Sequence, residues 1–284
     1  MRDYIFIDDF FLEDGLLGGG ELNNYELIKC LEKKGATVET INSHLVSEEF
    51  IKSNIKKNFI ISNFWNLRNS CMNLLEQKGK YIIYEHDHKY LNIRDPSSFE
   101  NYIAPKKNLI NLNFYKNAIA TICQSKLHQT VVKKNLEFEN IHSVGGNLWS
   151  SETLDIVEKF SERDKEEKYS IMASPNPIKN TGVAIKYCKV KEYEYELIRT
   201  MPHTDFLDTI SKNKGLVFFP RVLETLNRVV IEARMMNCQV VTNKKVGATS
   251  EPWFSLKGKE LISKMREKRE HIPKFVMELF GNGK

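Results

Sequence analysis

Short apolar runs alternate along the chain with longer segments in which apolar residues recur every three or four positions. The first run, YIFI at 4–7, predicts a buried strand, and the segment 21–34 predicts a helix that ends at Gly35. Further strands are predicted at 37–41, 58–61, 80–84, 119–123, 141–144, 169–173, 195–197, 216–219 and 239–242. Further helices are predicted at 64–77, 108–116, 126–136, 151–160, 180–189, 203–212 and 224–236, and the last 25 or so residues predict one or two helices interrupted at Pro273. Strands separated by helix-length segments indicate parallel sheets with helices on both faces.

A wholly polar stretch at 161–168 separates two such alternations. A chain of 284 residues is long enough for two domains, and the polar stretch marks the predicted boundary between them. We therefore predict an α/β protein with one doubly wound domain over 1–160 and a second over 161–265. Two facing units of this kind would bind a ligand in a cleft at the carboxyl ends of their strands.

Composition excludes several classes of protein. With 41% hydrophobic and 28% charged residues, the chain is neither disordered nor fibrous. The formal charge of +5 is compatible with an anionic ligand, but by itself it is too small to indicate nucleic acid. Five scattered cysteines without a CxxC pair argue against a disulfide scaffold or a zinc site and favour a reducing compartment. Because no apolar run is long enough for a signal peptide or a membrane span, we expect a cytoplasmic protein without integral membrane contact.

The most informative stretch is a proline-containing loop that follows a buried strand of the second half and leads into a predicted helix. Glu224 and Glu232 are eight residues apart, which on one helix separates them by about 80° around the axis and about 12 Å along it. Two such carboxylates could bind two hydroxyl-bearing parts of a nucleoside-diphosphate sugar. The first-turn N–H groups of Thr225, Leu226 and Asn227 would favour the diphosphate between them. The alternative is that Glu224 caps the helix and Glu232 is a solvated surface residue.

The pattern P-x3-E-x7-E-A, from Pro220 to Ala233, resembles the donor-site signature of retaining GT-B glycosyltransferases of glycosyltransferase family 4. The resemblance implies two Rossmann-like domains and a nucleotide-sugar donor, a UDP-sugar first of all, with Glu224 on the sugar hydroxyls and Glu232 on the ribose. It implies no metal and no other cofactor, and it implies that 266–284 is a helix crossing back to the first domain. The sequence departs from the family at 225–227, where Thr-Leu-Asn replaces the usual Gly-Phe-Gly.

A second polar loop follows the first predicted strand of the second domain. By resemblance, Lys179 matches the lysine with which the family holds the diphosphate and stabilises the leaving group. Ser174 stands where the family usually has an arginine and is assigned to donor binding. Arg228, Arg221 or Lys244 could supply the missing cation. The alternative for Lys179 is an exposed loop lysine.

A run of three glycines follows the first predicted strand. Glycine lets backbone N–H groups approach a phosphate or a sugar closely, although the run is not the GxGxxG of dinucleotide-binding proteins. The run resembles the Gly-rich loop of the family, which implies donor contacts for Gly19 and Gly20 and acceptor contacts for Gly18 and Glu21. The alternative is a flexible turn.

Two histidines and two acids cluster immediately after the predicted strand at 80–84. Similar proteins place a histidine of this loop against the sugar or the acceptor, which implies a catalytic role for His86. Asp87 would orient it or act as a base toward the acceptor hydroxyl. His88 and Arg94 are expected to contact the acceptor. A zinc site is the weaker interpretation, because no H-x3-H helix or cysteine accompanies the histidines.

In this interpretation no protein nucleophile is needed, because the departing diphosphate itself deprotonates the incoming hydroxyl. The acceptor stays open between a saccharide or glycan, which the modest charge favours, and a hydroxymethylated pyrimidine in DNA. In the DNA hypothesis the phosphates would be held by lysines of the first domain: Lys56, Lys57, Lys106, Lys107, Lys126, Lys133 and Lys134. A third hypothesis, motivated by the missing arginine, is a non-catalytic nucleotide-sugar-binding protein of the same fold.

Overall fold

A computed structural model describes residues 3–15 and 18–281, which divide into two compact units. Unit 1 runs to Trp149 and resumes at Lys268, and unit 2 is Ser150–Glu267. The predicted boundary after residue 160 differs from this division by the length of one helix. That helix, α6 (Ser151–Ser161), packs on two helices of unit 2, which explains why it belongs there.

Unit 1 contains a six-stranded parallel sheet in the order β2-β1-β3-β4-β5-β6. Its strands are β1 (Asp3–Asp8), β2 (Thr37–Asn42), β3 (Asn58–Ile61), β4 (Lys80–Tyr84), β5 (Ala120–Cys123) and β6 (Ile141–Ser143). Its helices are α1 (Gly19–Lys33), α2 (Glu48–Ser53), α3 (Asn69–Lys78), α4 (Leu112–Asn117) and α5 (Lys126–Leu136). The polar side chains that follow β1, β3, β4 and β5 therefore share one edge of the sheet.

The central strands of unit 1 are buried on both faces, which explains their unbroken apolar runs. On β1, Ile5 and Ile7 pack into one apolar cluster, while Tyr4 and Phe6 pack into the other. The second cluster also contains Val276 from the C-terminal helix.

Unit 2 contains a four-stranded parallel sheet in the order β10-β9-β7-β8. Its strands are β7 (Glu166–Met172), β8 (Glu194–Ile198), β9 (Asn213–Phe218) and β10 (Gln239–Thr242). The helices after α6 are α7 (Thr181–Val190), α8 (His203–Lys212) and α9 (Arg228–Met235). The C-terminal helix α10 (Gly258–Gly281) begins in unit 2, and its part from Lys268 onward belongs to unit 1. Among the described residues, none of the helices combines the length and the apolar character needed to cross a bilayer.

Some predicted helix limits are corrected by the structure. Helix α1 begins at Gly19, so two of the three glycines lie in its first turn rather than in a loop. Helix α9 begins at Arg228 and not at Glu224. Helix α2 was not predicted, although Ser47 caps it by accepting a hydrogen bond from the N–H of Phe50. The chain continues through Pro273 as one helix.

Candidate active site

Each unit carries a group of polar side chains on the loops that follow its parallel strands. In unit 2 the group consists of Lys179, His203, Glu224, Asn227 and Glu232, with Arg228 beside them, and we call it the unit 2 cluster. In unit 1 the group lines a cavity of 530 Å³, which we call the unit 1 cavity.

Lys179 and Glu224 form an ion pair in which Nζ lies 2.8 Å from Oε1. Lys179 ends a short turn after β7, and that turn is tied to the loop after β9, because the N–H of Arg221 donates to the carbonyl of Ile178 at 2.8 Å. On the other side, the N–H of Glu224 donates to the carbonyl of Lys245 at 2.9 Å. Both side chains of the pair are only partly buried, so an incoming ligand can reach them.

Glu224 is not on helix α9, which corrects the predicted geometry. Its backbone forms a parallel bridge with Val246, and the helix begins four residues later. Asn227 caps the helix, because its side chain accepts a hydrogen bond from the N–H of Val230 at 3.0 Å. The prediction that Thr225, Leu226 and Asn227 supply the N–H groups of the first turn is therefore wrong. Those groups belong to residues 228–230.

Asn227 has a backbone φ of 76°, in the left-handed region. Glycine adopts this region freely, and asparagine tolerates it better than most residues. Asn227 occupies the position of the second glycine in the Gly-Phe-Gly of the family that the sequence resembles. The backbone can therefore adopt a conformation there that a glycine would also allow. Its amide also donates to Oε2 of Glu224 at 3.3 Å and helps to orient that carboxylate.

Glu232 lies on α9 with 1% of its surface exposed, so it is not a solvated surface residue. Nε2 of His203, the first residue of α8, lies 3.2 Å from its Oε1, and Nε of Arg228 lies 3.8 Å from the same oxygen. A buried carboxylate needs such partners, because an unpaired charge is costly to remove from water. The carboxylate and the imidazole thus form a preorganised hydrogen-bonding site.

The remaining predicted donor residues of unit 2 have mainly local contacts. The N–H of Ser174 donates to Oγ1 of Thr181 at 3.3 Å, and its Oγ accepts from the N–H of Asn176 at 3.2 Å, so Ser174 shapes the loop. Leu226 is fully buried. Of the three cations suggested to replace the missing arginine, Arg228 lies in the unit 2 cluster, while the side chains of Arg221 and Lys244 are exposed.

The unit 1 cavity brings together residues from the loops after β1, β3 and β4 and from the start of α1. Its lining consists of Asp9, Phe10, Gly20, Glu21, Asn63, Trp65, Asn66, His86, Asp87 and Arg94. Five of these were predicted from the sequence, namely Gly20, Glu21, His86, Asp87 and Arg94. The others were not, because they depend on which strands are neighbours in the sheet.

Both ring nitrogens of His86 are engaged inside unit 1. Nε2 donates to Oδ1 of Asn24 at 2.8 Å, since an amide oxygen can only accept, and Nδ1 accepts from the side-chain amide of Gln124. Burial, with Lys89 nearby, lowers the pKa of His86 to about 3. The imidazole is therefore neutral at physiological pH, and this geometry fits a positioning or hydrogen-bonding role better than proton transfer.

A buried acid, Asp8, lies on the other side of Asn24. The amide of Asn24 donates to Oδ2 of Asp8 at 2.5 Å and to Oγ of Ser62 at 2.7 Å. Burial raises the pKa of Asp8 to about 6. Asn24 thus connects the end of β1 with the histidine that follows β4.

A buried lysine that the sequence analysis missed holds the loop after β4. Nζ of Lys89 lies 2.8 Å from Glu85 Oε1, 2.6 Å from Asp87 Oδ1 and 3.1 Å from Asn63 Oδ1. Burial acts to raise the pKa of Glu85, but Lys89 and the hydrogen bond from the Tyr115 hydroxyl together outweigh it and lower that pKa to about 2. Asp87 also pairs with Arg94. A charged Glu-x3-Lys run directly after a buried strand was the available signal.

Two predicted acceptor residues do not line the cavity. His88 has a backbone φ of 63°, and its side chain is almost completely buried. The hydroxyl of Tyr90 lies 3.2 Å from Nδ1 of His88, and the ring of His128 packs against the His88 ring. The acceptor contact predicted for His88 is therefore not supported. Gly18 precedes the first turn of α1, where a Cβ would collide with the carboxylate of Glu21. Gly19, predicted as a donor contact, does not line the cavity either.

Among residues 3–15 and 18–281, no group of three or more His, Cys, Asp or Glu side chains is arranged to hold a metal ion. The alternative of a zinc site in the loop after β4 thus has no supporting ligand group in this part of the chain.

No protein-family model and no curated protein sequence matches this chain. Solved structures do match it. HepE of Anabaena, in complex with UDP and glucose, has a TM-score of 0.56 at 13% identity, with 96% of this chain and 90% of that chain covered. A glycosyltransferase from Rickettsia africae has a TM-score of 0.57 at 12% identity, with 99% of both chains covered. The catalytic domain of starch synthase IV from Arabidopsis thaliana, bound to ADP and acarbose, has a TM-score of 0.55 at 8% identity, with 96% and 92% covered.

These similarities confirm the predicted fold. The chain has the GT-B fold, with two Rossmann-like domains built on parallel sheets of six and four strands. Its neighbours in structure include a glycosyltransferase and a starch synthase, and HepE has also been solved with UDP-glucose. At these levels of identity the similarity establishes the fold alone. Membership of family 4 stays a prediction.

Proposed function

We propose that the protein is a retaining glycosyltransferase of the family 4 type, which transfers a sugar from a nucleoside-diphosphate sugar to a hydroxyl acceptor. A UDP-sugar is the preferred donor. The observation that carries the proposal is the Lys179–Glu224 pair at 2.8 Å, held on neighbouring loops of unit 2, together with the buried Glu232–His203 pair of the same unit. A cation for phosphate and two carboxylates for hydroxyls are the groups that such a donor requires.

Donor binding exchanges the partners of the unit 2 cluster. The ammonium group of Lys179 moves from Glu224 to the diphosphate, and the released carboxylate accepts hydrogen bonds from the hydroxyls of the transferred sugar. Glu232 accepts hydrogen bonds from the ribose, with His203 beside it. In the free protein Lys179 and Glu224 thus balance each other, and the donor gives each of them a new partner.

Transfer then breaks the bond between the anomeric carbon and the diphosphate and forms a bond to the acceptor oxygen on the same face. The acceptor proton goes to the departing phosphate oxygen, so the configuration is retained and no protein nucleophile is used. Lys179 stabilises the charge that develops on the leaving group, and electrostatic contributions of this kind are large in acyl and phosphoryl transfer. The reaction in this scheme needs no metal ion or other cofactor.

The proposal leaves the acceptor open between a saccharide and a hydroxymethylated base in DNA, with the saccharide first. The non-catalytic alternative, a protein that binds nucleotide sugars without transferring them, keeps the same donor site. A cytoplasmic location is part of the proposal, because all five cysteines are buried free thiols.

Thermal shift with a panel of UDP-, ADP-, GDP- and TDP-sugars tests donor binding on the full chain. We expect one diphosphate sugar, but not the free sugar, to raise the melting temperature. Release or transfer of the labelled sugar then separates an enzyme from a binding protein. Lys179→Ala and Glu224→Ala should each lower turnover by about 100-fold, whereas Lys186→Ala, on the exposed side of α7, should leave it unchanged. Stabilisation without turnover would favour the non-catalytic alternative, and no stabilisation by any donor would refute the proposal.

A further inference from the structure

The unit 1 cavity has an acidic lining. Asp9, Glu21 and Asp87 line it, and Arg94 is the only cationic side chain among its lining residues. Asp87 is paired with Arg94 and with the buried Lys89, so Asp9 and Glu21 account for the negative charge of the lining. His86 adds no charge, because burial lowers its pKa to about 3. A polyanion entering this cavity would therefore be repelled, and an uncharged ligand would not be.

An exposed tryptophan stands at the same cavity. Trp65 is 49% exposed, while the protein's two other tryptophans, Trp149 and Trp253, are buried. The guanidinium of Arg94 lies 5.3 Å from the centre of its ring. A half-exposed indole in a cavity offers an apolar surface that can stack on a ligand with one flat, apolar face.

The loop that carries Trp65 is fixed by a buried carboxylate. Oδ2 of Asp9 accepts from the N–H of Trp65 at 3.0 Å, and its Oδ1 accepts from the N–H of Asn66 at 3.1 Å. The hydroxyl of Ser43 donates to the same carboxylate. The backbone that carries the indole is thus fixed before a ligand arrives, which lowers the entropic cost of binding.

Groups that bind hydroxyls surround the indole. The side chain of Glu21 is partly exposed, and its carboxylate has no hydrogen bond or ion pair among the described residues. The side chain of Asn66 supplies an amide donor and acceptor, and Asn63, whose Oδ1 accepts from Lys89, adds a second amide to the lining. An apolar ring face framed by carboxylate and amide groups is chemically complementary to a pyranose.

Four of the seven lysines that could hold DNA phosphates lie at the opposite edge of the unit 1 sheet from the cavity. Lys56 and Lys57 directly precede β3, and Lys133 and Lys134 lie in the last turn of α5, which leads to β6. Both places are at the amino ends of the strands, whereas the cavity lies at their carboxyl ends. In addition, Lys57 is paired with Glu39 at 2.9 Å.

We propose that the unit 1 cavity binds an uncharged sugar ring as the acceptor, with Trp65 as the stacking surface and Glu21 as a hydroxyl acceptor. Asp9 is a positioning residue, which acts through the backbone of Trp65. This inference rests on the proposed function and narrows its acceptor to a neutral saccharide.

Binding of simple probes to the full chain tests the inference. The probes are the methyl glycosides of glucose, galactose, mannose and N-acetylglucosamine, and a short DNA duplex containing hydroxymethylcytosine. We expect at least one glycoside to change the fluorescence of Trp65 and to bind in ligand-observed NMR, with little dependence on salt. Trp65→Ala should weaken that binding about tenfold, Trp65→Phe should restore most of it, and Glu21→Gln should weaken it.

Leu45→Ala, a change at an exposed apolar residue outside the cavity lining, is the matched control and should bind like the wild type. Stabilisation by a UDP-sugar is measured on the same samples. Two results would overturn the saccharide inference and leave the proposed function standing. In the first, a UDP-sugar stabilises the protein but no glycoside binds. In the second, the duplex binds and its affinity falls steeply at higher salt. If no donor stabilises the protein, the proposed function fails independently of the glycoside result.

Discussion

Nζ of Lys179 lies 2.8 Å from Oε1 of Glu224, although 45 residues separate them in the sequence. The pair joins the loop after β7 to the loop after β9, and both side chains keep some access to solvent. Because such exposure weakens an ion pair, its contribution to folding stability is small. Its value lies in holding a cation and a carboxylate where one ligand can use both.

Lys179→Ala should lower kcat/KM by about 100-fold, since it removes the cation that stabilises the leaving diphosphate. Lys179→Arg should recover part of the loss, and Lys186→Ala should have no effect. The double variant Lys179→Ala/Glu224→Ala should lose much less than the product of the two single losses, because the two residues act on one donor. Initial rates with the donor identified by thermal shift give these values. Fully multiplicative losses would show that the pair does not act as a unit.

Glu232→Gln should weaken UDP binding about tenfold while leaving the fold intact, because the amide keeps the shape but loses the charge. Glu232→Ala should in addition lower the free energy of unfolding by about 3 kcal/mol, since it removes a buried carboxylate from its contacts with His203 and Arg228. Isothermal calorimetry and urea unfolding measure the two effects. Glu194→Gln, on the exposed side of β8, is the control. Equal effects of Gln and Ala on UDP binding and stability would contradict this assignment.

Acid should destabilise unit 1 through its buried histidines. Burial lowers the pKa of His86 to about 3 and that of His88 to about 4, and it lowers the pKa of His128 as well. Below about pH 6.5 the unfolded chain binds these three protons and the folded unit does not, so the stability they confer at neutral pH is lost as the pH falls.

Asp8 opposes this trend. Burial raises its pKa to about 6 from 3.8, so the stability it contributes is fully present below about pH 4 and is lost as the pH rises through 6. For these four groups alone, the unfolded state near pH 5 binds about two protons more than the folded state, which contributes a fall of about 2.7 kcal/mol per pH unit on acidification. Asp8→Asn should steepen the slope by about 1.3 kcal/mol per pH unit, whereas Asp3→Asn, at an exposed position, should not change it. Urea unfolding at a series of pH values between 4.5 and 6 measures the slope, and equal slopes for both variants would exclude this role of Asp8.

Asn227→Gly and Asn227→Ala should differ although both remove the cap of α9. Glycine accepts the φ of 76°, so the loss should be about 0.5 kcal/mol, whereas alanine also opposes the left-handed backbone and should lose about 2 kcal/mol. Hydrogen exchange of the Val230 amide, which Asn227 caps, reports the local effect. If the two variants exchange equally, the left-handed backbone is not what makes asparagine necessary here.

The strands could be predicted closely from the sequence, because a central parallel strand is buried on both faces and therefore appears as an unbroken apolar run. Helices α5 and α8 were also predicted with their observed limits, 126–136 and 203–212. The start of α9 was missed, since Leu223, Leu226 and Val230 keep a helical spacing across the preceding loop and are all buried.

The candidate site was partly predictable for a related reason. Lys179 and Glu224 stand out because each lies in the loop that follows an apolar strand and matches a position of a known donor-site pattern. Lys89 and Asp9 also follow apolar strands, but their roles depend on partners contributed by the loop after another strand of the sheet. These contacts depend on which strands are neighbours in the sheet. The spacing of residues along the sequence does not predict the order of the strands.

All five thiols, at Cys30, Cys71, Cys123, Cys188 and Cys238, are buried, and burial raises their pKa values. Maleimides and similar reagents attack the exposed thiolate, so the native protein should resist labelling. One cysteine introduced at an exposed position of each unit, such as Leu45 and Lys186, would then take up a fluorophore selectively. A pair of dyes placed in this way would follow the distance between the two units as a donor binds, without removing any natural cysteine.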